Sequence, residues 1–270
     1  MTALILFILV LCGMATNLVS ALFGIGGGVL MVPILRTLFP ELPLQVVAAT
    51  SLTIVMCTSA INLFSFRKQK VAIDLKSMLL WSLGMIVGVQ VGFELSFLFS
   101  SLIVSLIFTV SLSLLAIKTL LNRQKIESDQ PVTLKERLKG SVFCAAGGLV
   151  AGITGIGGGS ILAPLVGQLS SVKTKQIAVY TNYMMIIGGL GNLYGYLTRP
   201  LHTSLELNGQ LGYVNFLIVG VVTAGSLLMS GCSMRLRGVI SPERTRLYLA
   251  IILLLIALYM CLLEFNKSLF

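Results

Sequence analysis

The chain alternates long apolar runs with short polar interruptions, and most runs have the length a membrane helix needs. Thr2–Leu22, Leu44–Phe66, Ile73–Phe93, Leu95–Leu121, Gln176–Leu197, Leu211–Cys232 and Thr245–Leu263 each hold about 20 residues or more, enough to cross a hydrocarbon core of about 30 Å. Two apolar pieces, Val29–Phe39 and Ser160–Leu169, are too short for that, and each follows a cluster of glycines. Ser141–Ile153 leads into the second cluster as Thr2–Leu22 leads into the first. Ser241-Pro242-Glu243 supplies a capping residue and a first-turn proline for the last helix.

The clusters are Gly24-Ile25-Gly26-Gly27-Gly28 and Gly155-Ile156-Gly157-Gly158-Gly159, followed by Pro33 and Pro164. Gly24–Pro33 and Gly155–Pro164 agree at six of ten positions, at an offset of 131 residues. That offset is close to half of the 270, the mark of an internal duplication. The chain therefore divides into a first membrane repeat (1–121), a hydrophilic linker (122–140) and a second membrane repeat (141–270). Each glycine costs about 1 kcal/mol against alanine in a helix interior, so each cluster predicts a helix that ends, turns and begins again. In lipid such a break survives only inside protein or beside a water-filled cavity. Its new N-terminus presents unpaired N–H groups that attract anions, and breaks at matching places in two halves mark a transporter's midplane site.

Polar positions within the spans fall on faces. Ser51, Thr58 and Asn62 stand at i, i+7 and i+11, and Thr181, Gly188 and Asn192 mirror them in the second half. Gly84, Gly88 and Gly92, at four-residue spacing, form a small-residue seam for close helix packing.

Composition fixes the medium: 56% of residues are hydrophobic and 10% charged, against about 25% charged in soluble domains, and mean hydropathy is +1.00. Met1–Leu22 lacks a basic flank and exceeds the core of a signal peptide, so it is expected to remain as a membrane segment. The net charge of +10 resides in short clusters between spans, which reads as positive loops facing the cytoplasm and not as a nucleic-acid surface. If each broken unit crosses once, the halves are parallel and Lys and Arg divide 12 inside to 7 outside. If each is a hairpin returning to its own side, the halves are inverted and the division becomes 16 to 3. The inverted arrangement, with both termini outside, satisfies the positive-inside rule better. The predicted fold is an all-α polytopic membrane protein of two homologous, inverted repeats, each a glycine-broken helical hairpin followed by three transmembrane helices.

The five cysteines lack metal-ligand spacing and read as small core residues. No carboxylate stands in the middle of a long apolar segment; Glu41, Glu94, Glu206 and Glu264 sit at span ends and the other acids in loops or the linker. A cation carrier usually needs one there. Arg36 reads as a snorkelling interfacial side chain, and His202 as a solvated loop residue. No His-Glu-x-x-His, nucleophile–base pair or nucleotide-binding loop is present, so an enzyme is not expected, and no cofactor.

The paired Gly-x-Gly-Gly-Gly-x4-Pro modules, the Ala49-Thr50-Ser51 start of a polar-faced span, and the Gly-x3-Gly helix with a later Ser-Pro-Glu-Arg resemble the TauE/SafE family of membrane permeases. The resemblance covers nearly the whole chain apart from the linker. It implies export or uptake of small sulfur-containing anions such as sulfite or organosulfonates, across a bacterial-type cell membrane. The family motif maps onto Gly24, Gly26, Gly27, Gly28 and Pro33, and onto Gly155, Gly157, Gly158, Gly159 and Pro164. Thr154 precedes the second module where Phe23 precedes the first, so the halves of a site are unequal. Thr50, Ser51, Thr181 and Asn182 are the side-chain donors expected beside the glycines, with Asn62 and Asn192 as further candidates. The expected partners are a small anion and the lipid bilayer; a homo-oligomer is compatible with this reading. The competing reading is a non-transporting scaffold or insertase-like protein, which would not need two symmetric breaks.

Overall fold

A computed structural model describes residues 2–66, 71–121, 132–200, 208–236 and 242–269. The elements in order are α1 (Ala3–Phe23), α2 (Gly28–Leu38), α3 (Leu44–Phe66), α4 (Leu75–Ser96), α5 (Ser101–Leu121), α6 (Leu134–Thr154), α7 (Gly158–Val166), α8 (Thr174–Thr198), a hairpin of β1 (Gln210–Leu211) and β2 (Val214–Asn215), α9 (Phe216–Leu236) and α10 (Pro242–Leu269). Six of these helices are long and apolar enough to cross a membrane. At every fourth position Leu79, Leu83, Val87 and Val91 of α4, and Leu102, Leu106, Val110 and Leu114 of α5, are exposed. Such stripes suit a helix that has lipid on one side. Cys144 is a core residue as expected, but Cys232 and Cys261 lie exposed on α9 and α10.

Three starts differ from the sequence reading by five residues or more, the first being α5, which begins at Ser101 and not at Leu95 because α4 runs on to Ser96. α6 begins inside the linker, because Thr133 caps it by accepting from the Glu136 N–H at 3.3 Å. The span expected from Leu211 begins instead at Phe216. Gly209 and Gly212, both at positive φ, turn the chain into the β1–β2 hairpin, and Asn215 Oδ1 then accepts from Ile218 N at 3.0 Å to cap α9. Ser241 and His202 lie outside the described residues.

Side-chain pairings give the sense of each helix. Along α4 and α6, Gly84 faces Ser141, Gly88 faces Ala145 and Gly92 faces Leu149, so the two run parallel. α4 and α8 also run parallel: the Trp81 and Tyr180 rings pack tilted at 5.0 Å, Gln90 meets Gly195, and Phe93 packs edge-on against Tyr196 at 4.6 Å. Between α6 and α8 the chain must come back, and α7 makes the return, with Gly159 beside Met185 and Gly167 beside Ile177. α7 has nine residues and rises only about 13 Å. The broken unit is thus a hairpin with one long and one short arm. The corresponding helices of the two halves, α3 and α8, run antiparallel, with Phe66 on Ala178, Ser59 on Met185 and Met56 on Gly189. Opposite senses of equivalent helices are what inverted repeats require.

One end of the bundle is tied together by Asp74–Arg137 at 3.1 Å, by Trp81 Nε1 donating to the Arg137 carbonyl at 3.0 Å, and by Gln176 Nε2 donating to the Ala72 carbonyl at 2.7 Å. Lys76, Lys118, Lys135, Lys139, Lys173, Lys175 and Arg235 belong to helix ends on this side. The opposite end holds Arg36 and Arg199. Arg36 does not snorkel: it donates to Ser105 Oγ at 2.6 Å and pairs with Glu264 at 3.0 Å, joining α2, α5 and α10. Arg199 pairs with Glu94.

Candidate functional site

The two glycine clusters meet at the centre of the molecule. A Cβ placed on Gly28 would lie 2.3 Å from the Ile156 carbonyl oxygen, and one on the equivalent Gly159 would lie 2.8 Å from the Ile25 carbonyl. Only glycine lets the backbones approach this closely. The breaks are near copies of one another: Gly24 and Gly155 both have φ 71° and end the preceding helix, and Gly26 and Gly157 have φ 75° and 77°. They part at the next residue. Gly27 has φ 65° and caps α2, whereas its counterpart Gly158 is already the first helical residue of α7. In the second half positive φ therefore ends at Gly157, whose ψ of 119° lies outside the left-handed helical region, and Gly158 has no positive-φ requirement.

The N–H groups of Ile25, Gly26, Gly27 and Val29, and of Gly157, Gly158 and Gly159, have no hydrogen-bond acceptor among the described residues. All seven of these residues are buried. The start of each short helix thus carries unpaired donors and the positive end of the helix dipole in a water-poor interior.

Of the side chains expected here, three touch a break. Thr181 Oγ1 donates to the Gly24 carbonyl at 3.2 Å, Ser51 Oγ to the Gly28 carbonyl at 3.5 Å, and Thr154 Oγ1 accepts from Ile156 N at 3.4 Å. Thr50 is turned elsewhere: its Oγ1 accepts from Asn215 N at 3.1 Å and fixes the β2–α9 corner. Asn182 Nδ2 donates to the Ala178 carbonyl at 2.6 Å, leaving a buried Oδ1 without a partner. Asn62 donates to Ser20 Oγ at 2.7 Å and accepts from Asn17 Nδ2 at 3.2 Å, a helix–helix network that satisfies Asn62 and leaves Asn17 Oδ1 without a partner among the described residues.

Beside the second break, between α3, α4, α7 and α8, lies a cavity of about 10 Å³, room for about one water. Leu52, Val55, Met85, Val89 and Met185 form its apolar wall, and Gly158, Gly188, Gly189, Asn192 and Tyr196 complete it. Asn192 Oδ1 and Tyr196 Oη are buried with no hydrogen-bond partner among the described residues. Tyr196 was not among the residues expected from sequence.

The family model described as "Sulfite exporter TauE/SafE" matches residues 9–260. A probable membrane transporter protein of Haemophilus influenzae is 68% identical over 264 residues, covering 96% of this chain and 97% of that one. A probable membrane transporter protein of Methanocaldococcus jannaschii is 25% identical, covering 96% of each chain. The probable membrane transporter protein YunE of Bacillus subtilis is 25% identical over 81% of this chain and 84% of its own. No solved structure matches the chain. A broken-helix membrane fold, a family match over nearly its whole length and a close relative named as a transporter agree: the chain is an integral multi-pass membrane protein and belongs to the TauE/SafE family of membrane transporters.

Proposed function

We propose that the protein is a secondary permease for a small anion, and that sulfur oxyanions such as sulfite or an organosulfonate are the substrates. The observation that carries this reading is the meeting of two helix N-termini at which seven buried N–H groups have no acceptor among the described residues. An anion entering a dehydrated site must regain the hydrogen bonds it had in water, and oriented backbone dipoles supply them without a buried cation. The carboxylates near the ends of the bundle reinforce the sign. Glu94 and Glu264 are paired with Arg199 and Arg36, and Asp74 with Arg137, so these three are neutralised at the ends of the bundle and do not attract a cation to its centre. The sulfur-anion class rests on the family description.

The test is initial flux into proteoliposomes for a panel of sulfite, thiosulfate, sulfonates and small carboxylates, with divalent metals and amines as counter-panel. Saturable movement of one or more sulfur anions supports the assignment. Movement of a metal or amine with every anion inert would overturn it.

A further inference from the structure

The cavity beside the second break has a chemistry that the paired helix ends alone do not have, and it comes from a difference between the repeats. In the first half Asn62 is satisfied by Asn17 and Ser20. At the 131-residue offset those partners become Gly148 and Ala151, while at the 130-residue offset that relates Asn62 to Asn192, Thr58 and Ser59 become Gly188 and Gly189, and Phe66 becomes Tyr196. Four side chains have shrunk and one hydroxyl has been added. The result is a small space into which the second-half asparagine brings an unpartnered atom. Asn192 Nδ2 faces the Gly188 carbonyl at 2.7 Å. A carbonyl can only accept, which fixes the amide's orientation and leaves Oδ1 as the free group. Three residues of the lining therefore carry polar groups without a partner among the described residues: Asn192 with a buried acceptor (Oδ1), Tyr196 with a buried hydroxyl (Oη) and Gly158 with the acceptor-free N–H at the start of α7. Asn192 and Tyr196 are 1% and 2% exposed.

Donors alone would suit a fully deprotonated oxyanion. An acceptor among them asks for a ligand hydrogen, and about 10 Å³ suits a group the size of water. Resting on the anion-permease reading, we propose that this cavity is a specificity pocket for an O–H group carried by the transported anion. The ligand hydroxyl donates to Asn192 Oδ1 and accepts from Tyr196 Oη–H, while the charged part lies toward the Gly158 N–H and the helix ends. The O–H comes from a protonated acid, as in hydrogen sulfite, or from an alcohol, as in a hydroxyalkanesulfonate. Met185 and Met85, flexible side chains in the wall, supply the give needed for entry.

The test uses two pairs of monoanions that differ in the hydrogen, at pH 6: isethionate against ethanesulfonate, and hydrogen sulfite against methanesulfonate. Affinity is measured by calorimetry on the full-length protein in detergent and by flux in proteoliposomes. The wild type binds the O–H member of one pair about tenfold or more tightly, the loss expected when a buried polar group goes unpaired; which pair shows the ratio identifies the source. Tyr196→Phe and Asn192→Leu bring that ratio to near one while the hydrogen-free partner changes little. Gly188→Ala, which narrows the cavity and keeps a helical backbone, does the same and serves if either polar variant fails to fold. Anion flux in the wild type without discrimination within either pair, or discrimination that all three variants retain, overturns the pocket and leaves the permease reading standing; the cavity then houses a structural water. A folded wild type that neither binds nor moves any of the four anions overturns both.

Discussion

Gly28→Ala probes the junction of the two repeats most directly. Gly28 is the first residue of α2 and has an ordinary helical backbone, so alanine brings no φ strain there and even favours the helix. Its cost is contact alone. The added Cβ would stand 2.3 Å from the Ile156 carbonyl oxygen, 2.8 Å from its carbonyl carbon and 2.6 Å from Val55 Cγ2. Two of those atoms are backbone of the other break, so relief requires the two hairpins to separate by most of an ångström. Overpacking of this kind costs about 1–3 kcal/mol, which a bundle of this size survives. Gly88→Ala is the matched control: its Cβ would lie 2.0 Å from the Ala145 carbonyl oxygen, an equally hard contact, on the α4–α6 seam away from the breaks. Both variants should melt earlier by similar amounts. Initial flux per folded molecule in proteoliposomes should fall at least tenfold for Gly28→Ala and stay within about twofold for Gly88→Ala, the tenfold corresponding to about 1.4 kcal/mol at the site. Normal flux through Gly28→Ala would refute the argument that the junction forms the pathway. Equal losses in both variants would refute the separation between packing and site.

Other outcomes follow from the described contacts. Cysteines placed at Lys139 and Arg235 in a cysteine-free background should react with an impermeant maleimide only after the membrane is opened, and cysteines at Glu41 and Asn208 should react from outside; the reverse pattern at Arg235 would restore parallel repeats. Arg36→Leu should strand Glu264, whose side chain is 16% exposed, and cost about 2–4 kcal/mol in a thermal melt, most of it recovered in the double variant with Glu264→Leu. Asp74 accepts from Ser77 N and Oγ and faces Arg137, which together hold its carboxyl below the usual carboxylate range. A depressed folded-state pKa contributes stability above the unfolded value, about 3.9, and loses it as pH falls through the folded value. The wild-type melting temperature should therefore drop on acidification below about pH 4, and Asp74→Asn, which keeps the cap acceptor, should remove that part of the drop.

Much of this architecture is legible in the chain because the bilayer imposes few alternatives. Span length, the paired Gly-x-Gly-Gly-Gly breaks and the placement of Lys and Arg each follow from the cost of exposing backbone or charge to lipid. The start of α6 was legible too, since Thr133-Leu134-Lys135-Glu136 carries a cap residue with an acid three positions on; the charge of the segment masked it. The roles of Thr50 and Arg36 were not legible. A polar residue in an apolar run states only that it has a partner, and the partners, Asn215 for one and Glu264 for the other, lie 165 and 228 residues away. Likewise nothing local to Gly27 or Gly158 says which takes a left-handed turn. Helix α7 begins one position earlier than α2, relative to the repeat.

The near-symmetry also bears on how such a protein would move. The breaks meet at the centre, and each end of the bundle is closed by its own set of contacts: Asp74–Arg137 and the Glu136 carboxylate on Ser170 at one, Arg36–Glu264 and Arg199–Glu94 at the other. Both sets are intact together in this structure, and the cavity beside the second break holds about one water's volume. Transport by alternating access requires one set to open while the other holds. Inverted repeats provide for this at little cost, because exchanging the conformations of the two halves turns an outward opening into an inward one. The exchange is not perfect here. Asn17 and Ser20 bind Asn62 in one half, and their counterparts leave Asn192 free in the other. A ligand that satisfies Asn192 would therefore stabilise the second half's closed packing in the way that Asn17 and Ser20 permanently stabilise the first.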